Sequence, residues 1–284
     1  MTKDLFKIAI IDLYDNEPNH GMRCIQELIK QCDQSFPEKT IRYDIFETRY
    51  KNEVPGLDYD IYLSSGGPGS PFDGKGKAWE VNYFNLINRI WNHNQGNNEI
   101  RKYVFFICHS FQMMCRFFGL GTIQERSRRS FGILPVNKTE SGKREFLLSG
   151  LPDTYFAADF RNYEVVQPDS SAFRQLDAVV LSREARRIDP DQERALMAIR
   201  VSREFVGTQY HPEADPISML DYFQKPDWKK QVVDEHGEKV YYDMISHLEA
   251  PDHILLTRRT ILPLFLKDAI ENISRQTAAQ KIPA

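Results

Sequence analysis

Apolar and polar positions alternate in blocks along the first half of the chain, and the blocks fit strands and helices in turn. Four segments are strand candidates: residues 7–15, 41–49, 58–64 and 103–108. The first and the last are near-continuous apolar runs, which are typical of strands buried on both faces. Residues 20–33 and 78–94 instead carry apolar side chains at helical spacing. The alternation predicts an α/β fold with an open, mostly parallel sheet and helices on both faces.

The pattern changes from about residue 130, where short strand candidates follow one another between turn residues. We expect these strands to be antiparallel additions before the chain returns to the sheet. After residue 213 the sequence is mostly helical, and Pro263 predicts a kink or break in the last helix. The expected organisation is a domain over residues 1–215 and a C-terminal helical extension, residues 216–284, whose apolar helix packs on that domain.

Composition and charge narrow the function classes. The 284 residues are 41% hydrophobic and 27% charged, which is ordinary globular usage. A net charge of -3 gives no bulk attraction to nucleic acid or acidic membranes. No apolar run reaches the ~18 residues of a membrane span. Four cysteines do not make a disulfide framework, so we expect a cytoplasmic protein with free thiols.

Cys108 is the first candidate for chemistry. It ends a predicted buried strand and precedes a predicted helix, which places it at the carboxyl edge of the sheet, where open α/β sheets have their sites. The positive end of the helix would favour a thiolate there. A buried structural cysteine is the alternative, because free cysteines are among the most buried residues.

Two further motifs accompany this cysteine. In Gln209-Tyr210-His211-Pro212-Glu213, the histidine and the glutamate are two residues apart at the end of a strand candidate, so they share a face. A carboxylate in this position can orient the imidazole and leave its other nitrogen free to take a proton from a thiol. Residues 65–71, SGGPGSP, follow another strand, and their glycines allow backbone N–H groups to turn towards an anion. Surface turns are the alternative explanation for both motifs.

The order and spacing of these three elements resemble the class I glutamine amidotransferase family, with a glutaminase like that of GMP synthase. The resemblance covers about residues 7–215 and implies a flavodoxin-like open sheet. It implies that Cys108 is the nucleophile, that His211 is the general base and that Glu213 orients the histidine.

The same resemblance assigns the substrate contacts. It implies that the backbone N–H groups of Gly67 and His109 form the oxyanion hole, and that Gly67, Gly69 and Gln112 help to hold glutamine. The γ-amide of glutamine would be hydrolysed through a cysteinyl thioester, without a cofactor or a metal. The ammonia would pass to an acceptor on another chain, such as a synthetase, because the remaining ~70 residues are too few for a synthetase domain.

Some positions depart from the family pattern. The family brackets its cysteine as G-x-C-x-G-x-Q, whereas Phe106 and Ser110 stand at the glycine positions here. Many relatives also carry a histidine near the place of Arg161 and Asn162. Since a displaced elbow would misplace the nucleophile, we expect the isolated chain to hydrolyse free glutamine slowly until a partner binds.

A basic cluster is a candidate for binding that partner or an anionic acceptor; it consists of Arg126, Arg128 and Arg129. A solvated loop is the alternative explanation for the cluster.

Other functions compete with this one. A γ-glutamyl peptidase or hydrolase would use the same triad, and a non-catalytic regulatory subunit could share the fold. Residues 69–75 match the start of a phosphate-binding loop, but Gly76 stands where a Ser or Thr would ligate magnesium. His20, Cys24 and Cys32 could share a helix face, but no fourth metal ligand is in view, and an amphipathic core helix explains the cysteines better.

Overall fold

The computed structural model describes residues 4–17, 19–96, 100–185 and 193–280. The strands of the described residues are β1 Asp4–Asp12, β2 Lys39–Glu47, β3 Ile61–Ser64, β4 Tyr103–Ile107, β5 Gly121–Lys138, β6 Thr154–Pro168, β7 Val179–Glu184, β8 Leu196–Arg200 and β9 Phe205–Thr208. The helices are α1 Gly21–Ser35, α2 Thr48–Lys51, α3 Ala78–Gln95, α4 His109–Phe118, α5 Glu140–Lys143, α6 Ser170–Leu176, α7 Pro216–Phe223, α8 Pro226–His236, α9 Glu238–Glu249 and α10 Asp252–Gln280.

The strands form one sheet in the order β2-β1-β3-β4-β9-β8-β7-β5-β6. The strands from β2 to β9 in this order are parallel, and their carboxyl ends therefore meet at one edge. The strands β8, β7, β5 and β6 continue the sheet in antiparallel pairs. The α/β sheet expected from the sequence is confirmed, and its second half consists of the antiparallel additions.

Helices cover both faces of the parallel part. Ile8 and Ile10 of β1 pack in one core with α1 and α10, while Ala9 and Ile11 pack in a second core with α3 and α4. Successive strand residues point to opposite faces. The apolar run of β1 is continuous because both sets of side chains are buried.

The C-terminal residues pack on the sheet in two places. α10 buries Leu262 and Phe265 in the same core as β1 and β4, whereas α7, α8 and α9 pack over β5 and β6 against Ile133 and Ala158. Pro263 lies inside α10, which runs on to Gln280, so the expected break is absent. Buried neighbours on both sides of the proline hold the helix against the sheet. The boundary at residue 215 stays a prediction, and no helix among the described residues is long and apolar enough to cross a membrane.

The basic cluster differs from its sequence-based interpretation as a solvated loop. All three arginines lie within β5, where the pairing with β6 shifts register between Glu125 and Ser130. Arg128 and Arg129 are exposed, as a solvated cluster would be. Arg126 is buried, because its guanidinium pairs with Glu164 and, at 2.9 Å, with Glu184.

Candidate functional site

Cys108 occupies the sharp turn between β4 and α4. Its backbone has φ 49° and ψ -99°, a region that side-chain-bearing residues rarely adopt and that often marks a functional site. Its N–H donates to Thr208 O at 2.8 Å, and its carbonyl accepts from Gln112 N at 3.1 Å, the first turn of α4. The strand on one side and the helix on the other thus fix the thiol at the carboxyl edge of the sheet.

Phe106 and Ser110, the two departures from the family bracket, fit this turn without displacing it. Phe106 is fully buried, and its partner in register on β9 is Gly207, where a side chain would crowd the Phe106 Cβ and carbonyl oxygen and the Phe111 ring. The Ser110 hydroxyl accepts from Ile107 N at 2.7 Å and donates to Ser64 O at 2.8 Å. The hydroxyl therefore ties the turn together, and neither side chain gives a structural reason for a displaced nucleophile.

His211 and Glu213 follow β9 at the same edge. The His211 N–H donates to Ala158 O at 2.9 Å, which fixes the backbone beside β6. The imidazole Nδ1 lies 2.8 Å from Glu213 Oε1, and the Glu213 side chain is only 1% exposed. This pairing leaves Nε2 for the thiol of Cys108.

The His211 pKa is set by opposing effects. Burial lowers it, but the Glu213 carboxylate and, after it, Cys108 outweigh burial and hold the pKa well above its ordinary value. The carboxylate therefore favours the protonated form of the imidazole. A protonated imidazole beside a thiol can protonate a leaving nitrogen.

The His109 ring has the opposite character. Burial, together with the positive charges of Arg49 and Arg116, lowers the His109 pKa to about 3. Its side chain is thus neutral, and the oxyanion role predicted for His109 concerns its backbone N–H alone.

The glycine-rich loop needs its glycines for space. A Cβ at Gly66 would lie 2.8 Å from His211 Cε1, and a Cβ at Gly67 would collide with Leu13 O. Gly69 has φ +80°, which only glycine adopts without strain. The loop can therefore approach the histidine closely with bare backbone.

Two arginines that the sequence analysis did not single out hold this loop. Arg49 Nη1 donates to Pro68 O at 2.7 Å, and Arg116 Nη1 donates to Pro71 O. Arg116 also pairs with buried Glu80 at 2.6 Å. Their signal is absent from the sequence, because each arginine lies on a different helix, far along the chain from the loop.

A cavity of about 150 Å³ opens at the thiol. The structure brings most of the predicted residues to its wall: Gly67, Gly69, Cys108, His109 and Gln112. His211 and Glu213 do not line it; they line a separate cavity that shares Phe160 and Arg129 with it.

The buried side-chain amides of Gln112 and Gln209 form a hydrogen-bonded chain that ends at the Cys108 thiol. Gln112 Nε2 donates to Tyr163 O at 3.2 Å and to Gln209 Oε1 at 3.1 Å. Gln209 Nε2 in turn donates to Cys108 Sγ at 3.8 Å. Gln209 is a contact that sequence reasoning missed, although it stands two residues before His211 in the same motif.

Arg161 and Asn162, at the place where relatives carry a histidine, line the same cavity. Arg161 is buried, with Nε 2.9 Å from Asp159 Oδ1 and Nη2 3.3 Å from Glu184 Oε1. Because Glu184 also pairs with Arg126, the wall behind the cavity is a buried cluster of paired charges. Buried charges need such pairing.

Tyr14 is a second residue that sequence reasoning missed. Its hydroxyl lies against Gly21 and Gly66, since a Cβ at either glycine would crowd it. Burial, then Glu213 and Cys108, raises the Tyr14 pKa well above its ordinary value, so the hydroxyl keeps its proton beside these two residues. The only signal in the sequence is its position just after β1.

Within the described residues, the phosphate-binding-loop motif and the candidate metal ligands do not form binding sites. Residues 69–76 turn back on themselves, with Ser70 N donating to Asp73 Oδ2 at 2.8 Å, and the next helix begins only at Ala78. A phosphate-binding loop instead leads directly into its helix. Among the described residues, no group of three or more His, Cys, Asp or Glu side chains could hold a metal ion.

The model of the family "Glutamine amidotransferase class-I" matches residues 24–219, and the chain belongs to this family. A glutamine amidotransferase from Thermotoga maritima is 15% identical with a TM-score of 0.65, covering 92% of this chain and 98% of its own. A protein from Thermoplasma acidophilum, described as a candidate subunit of GMP synthase, is 15% identical with a TM-score of 0.51, covering 89% and 99%. The glutaminase domain of Trypanosoma brucei CTPS with bound acivicin is 14% identical with a TM-score of 0.50, covering 73% and 86%. These likenesses show the fold, and no curated protein matches the chain.

Proposed function

We propose that the protein hydrolyses the γ-amide of glutamine through a thioester on Cys108 and passes the ammonia to an acceptor on a separate chain. The observation that carries this proposal is the position of His211, which contacts Cys108 on one side and Glu213, at 2.8 Å, on the other. Family membership supports the amide chemistry, and the cavity at the thiol has room for a γ-glutamyl group.

In the proposed reaction the Cys108 thiolate attacks the γ-carbonyl carbon. The negative oxygen that develops would accept hydrogen bonds from the backbone N–H groups of Gly67 and His109, and one such donor is worth about 3 kcal/mol. His211 protonates the leaving nitrogen, ammonia departs, and a thioester remains. Water, deprotonated by His211, then hydrolyses the thioester and releases glutamate.

The substrate would lie along the cavity walls. Gly67 and Gly69 offer backbone on one side, and Gln112 closes the other with its amide already bonded to Gln209. Because this amide is already hydrogen-bonded, Gln112 would contact glutamine mainly as part of the cavity wall.

The test is glutamate and ammonia release by the full chain supplied with glutamine. We expect Cys108→Ala to abolish turnover. Cys32→Ala is the matched control, because Cys32 is a buried thiol of α1 in the core away from the cavity. A glutamine-analogue electrophile such as diazo-oxo-norleucine should label Cys108 first among the four cysteines. Turnover that survives in Cys108→Ala, or equal labelling of all four, would contradict the proposal.

A further inference from the structure

A second cavity, of about 360 Å³, adjoins the triad on the far side of His211. His211 and Glu213 line this cavity, whereas Cys108 lines only the smaller one. Phe160 and Arg129 line both cavities and stand at their boundary. The reacting centre thus lies between two spaces, one on the thiol side and one on the histidine side.

Aromatic rings form the wall of the second cavity. Phe131 meets Phe160 at 5.0 Å between ring centroids and Phe223 at 5.6 Å, both edge to face. Tyr222 extends this group, with its ring centroid 5.2 Å from that of Phe223, and it stacks at a tilt on Trp228 with centroids 4.4 Å apart. A concave, mostly apolar space with aromatic walls beside His211 has the character of a ligand pocket.

The proposed reaction at Cys108 and His211 determines which part of the substrate would enter the second cavity. A γ-glutamyl group bound on the thiol side places its carbonyl at Cys108 and its leaving nitrogen at His211, which must protonate it. Any substituent on that nitrogen points past His211, because the thiol side is already filled by the glutamyl group. It would therefore enter the second cavity.

The second cavity is much larger than ammonia, so ammonia is not the group that its size matches. A water molecule occupies about 30 Å³ in the liquid, and ammonia is of similar size. The cavity of about 360 Å³ is roughly an order of magnitude larger. Ligand sites of about 300–1,000 Å³ take organic groups, and aromatic walls favour an aromatic ring.

We infer that the second cavity is a subsite for the amine half of the substrate, and that the protein also cleaves γ-glutamyl amides of aromatic amines. This inference rests on the proposed Cys108 chemistry. The thiolate bonds to the γ-carbonyl carbon as the C–N bond breaks, and the nitrogen takes the proton of His211 and leaves as a free amine. Water then cleaves the thioester to glutamate and regenerates the thiol, with no change of oxidation state.

The experiment compares three substrates that release the same product, glutamate: glutamine, γ-glutamylmethylamide and γ-glutamyl-2-phenylethylamide. For the full chain we expect kcat/KM for the phenylethylamide to exceed that for the methylamide at least tenfold, which is the order expected for burying one aromatic ring. Equal values for the two amides would overturn the inference and leave the glutaminase proposal standing.

Two variants test where the ring lies. Trp228→Ala removes one wall, and Gln231→Trp fills the cavity from an exposed position where folding is not at risk. Each should lower the phenylethylamide-to-methylamide ratio about tenfold. The matched control is Tyr242→Ala, an aromatic residue 53% exposed on α9 outside the cavity, which should keep the wild-type ratio. An unchanged ratio in both cavity variants would overturn the inference.

Binding of 2-phenylethylamine, the amine product, separates the two proposals. Titration calorimetry on the full chain should show binding that Trp228→Ala weakens about tenfold, even in Cys108→Ala. Such binding without turnover of any amide would support the subsite and contradict the Cys108 chemistry. No binding by the wild-type chain, with glutamine still hydrolysed, would overturn the subsite alone.

Discussion

Phe106, a large side chain two residues before Cys108, lies opposite Gly207 in register. The family bracket has its glycine on the cysteine strand, whereas this chain has a phenylalanine there and a glycine opposite it on β9. A Cβ at Gly207 would lie 3.0 Å from Phe106 Cβ and 3.1 Å from Phe111 Cδ2. The family pattern leaves space beside the cysteine by placing a glycine on the cysteine strand. This chain leaves space at the same level by placing the glycine on the neighbouring strand β9.

This packing predicts a stability change for Gly207→Ala. The added methyl group overpacks a fully buried contact, so we expect the free energy of unfolding to fall by about 1–3 kcal/mol. Urea unfolding measures it, with the same substitution made in a Phe111→Ala background. The cost should be smaller there, because the Phe111 ring atom that crowds the added methyl group is gone. An equal cost in both backgrounds would mean that the Phe111 ring does not contribute to the crowding.

Ser110→Gly, which restores the family residue, gives a second prediction at this scale. The sequence suggested that Ser110 disturbs the elbow, but its hydroxyl bonds Ile107 N and Ser64 O in a fully buried place. We expect the glycine variant to lose about 1–3 kcal/mol of stability and to gain no glutaminase activity. Thermal unfolding and steady-state assays decide this, and a faster, equally stable variant would restore the sequence-based view.

The His211–Glu213 pair predicts a pH dependence. The folded-state pKa of His211 is raised, so its contribution to stability is complete below the unfolded pKa of about 6.5 and is lost as the pH rises through the folded pKa. We therefore expect the stability difference between the wild type and Glu213→Gln to be largest near pH 6 and to shrink in alkali. Turnover should fall by orders of magnitude in the variant. A stability difference that grows with pH would contradict this assignment of the proton.

At the scale of elements, α10 holds the loop that carries Glu213. Arg258 Nη1 donates to the Glu213 carbonyl oxygen, and Nη2 lies 3.1 Å from Glu27 Oε2 on α1. Arg258 is 7% exposed, so these bonds are largely shielded from solvent. It is a positioning residue, because it acts on the backbone of Glu213 and not on the substrate.

Arg258→Ala should therefore lower kcat more than it raises KM, because the His211–Glu213 contact loosens while the glutamyl cavity stays intact. Lysine at this position should rescue only in part, since it lacks the two-pronged guanidinium. Arg259→Ala is the matched control, an exposed arginine next to it on the same helix. A uniform loss of folded protein with unchanged kcat per folded molecule would show that Arg258 is only structural.

Some elements of the fold and of the candidate site are predictable from the sequence, and others are not. The strands and helices around β1 and β4 follow from periodicity, because both faces are buried and the apolar runs are unbroken. The structure also brings Cys108, His211 and Glu213 together, since each lies in a short local motif at a strand end. Arg126 could not be placed from its sequence neighbours, because Glu164 and Glu184 reach it from other strands.

At the scale of the whole molecule, the C-terminal residues contribute to two packing layers. α10 completes the core under the parallel strands, while α7, α8 and α9 cover the antiparallel part. Of these three helices, α7 and α8 supply a wall of the second cavity. The first layer concerns stability, and the second concerns access to the histidine side of the site. The two parts of this region should thus respond differently to deletion.

Deletion of residues 252–284 should leave the parallel core open. It exposes the surface that Ile261, Phe265 and Leu266, each 2% exposed or less, now cover, and each such side chain contributes about 1.5–3 kcal/mol of burial. Since a domain of this size has only about 5–15 kcal/mol of net stability, we expect insoluble or unfolded protein. Circular dichroism and sedimentation of the truncated chain measure this. The control is deletion of residues 277–284, of which residues 277–280 are exposed or half-buried, and that chain should stay folded. A soluble, cooperatively unfolding chain without α10 would show that the sheet and the remaining helices suffice, and α10 would then serve the Glu213 loop alone.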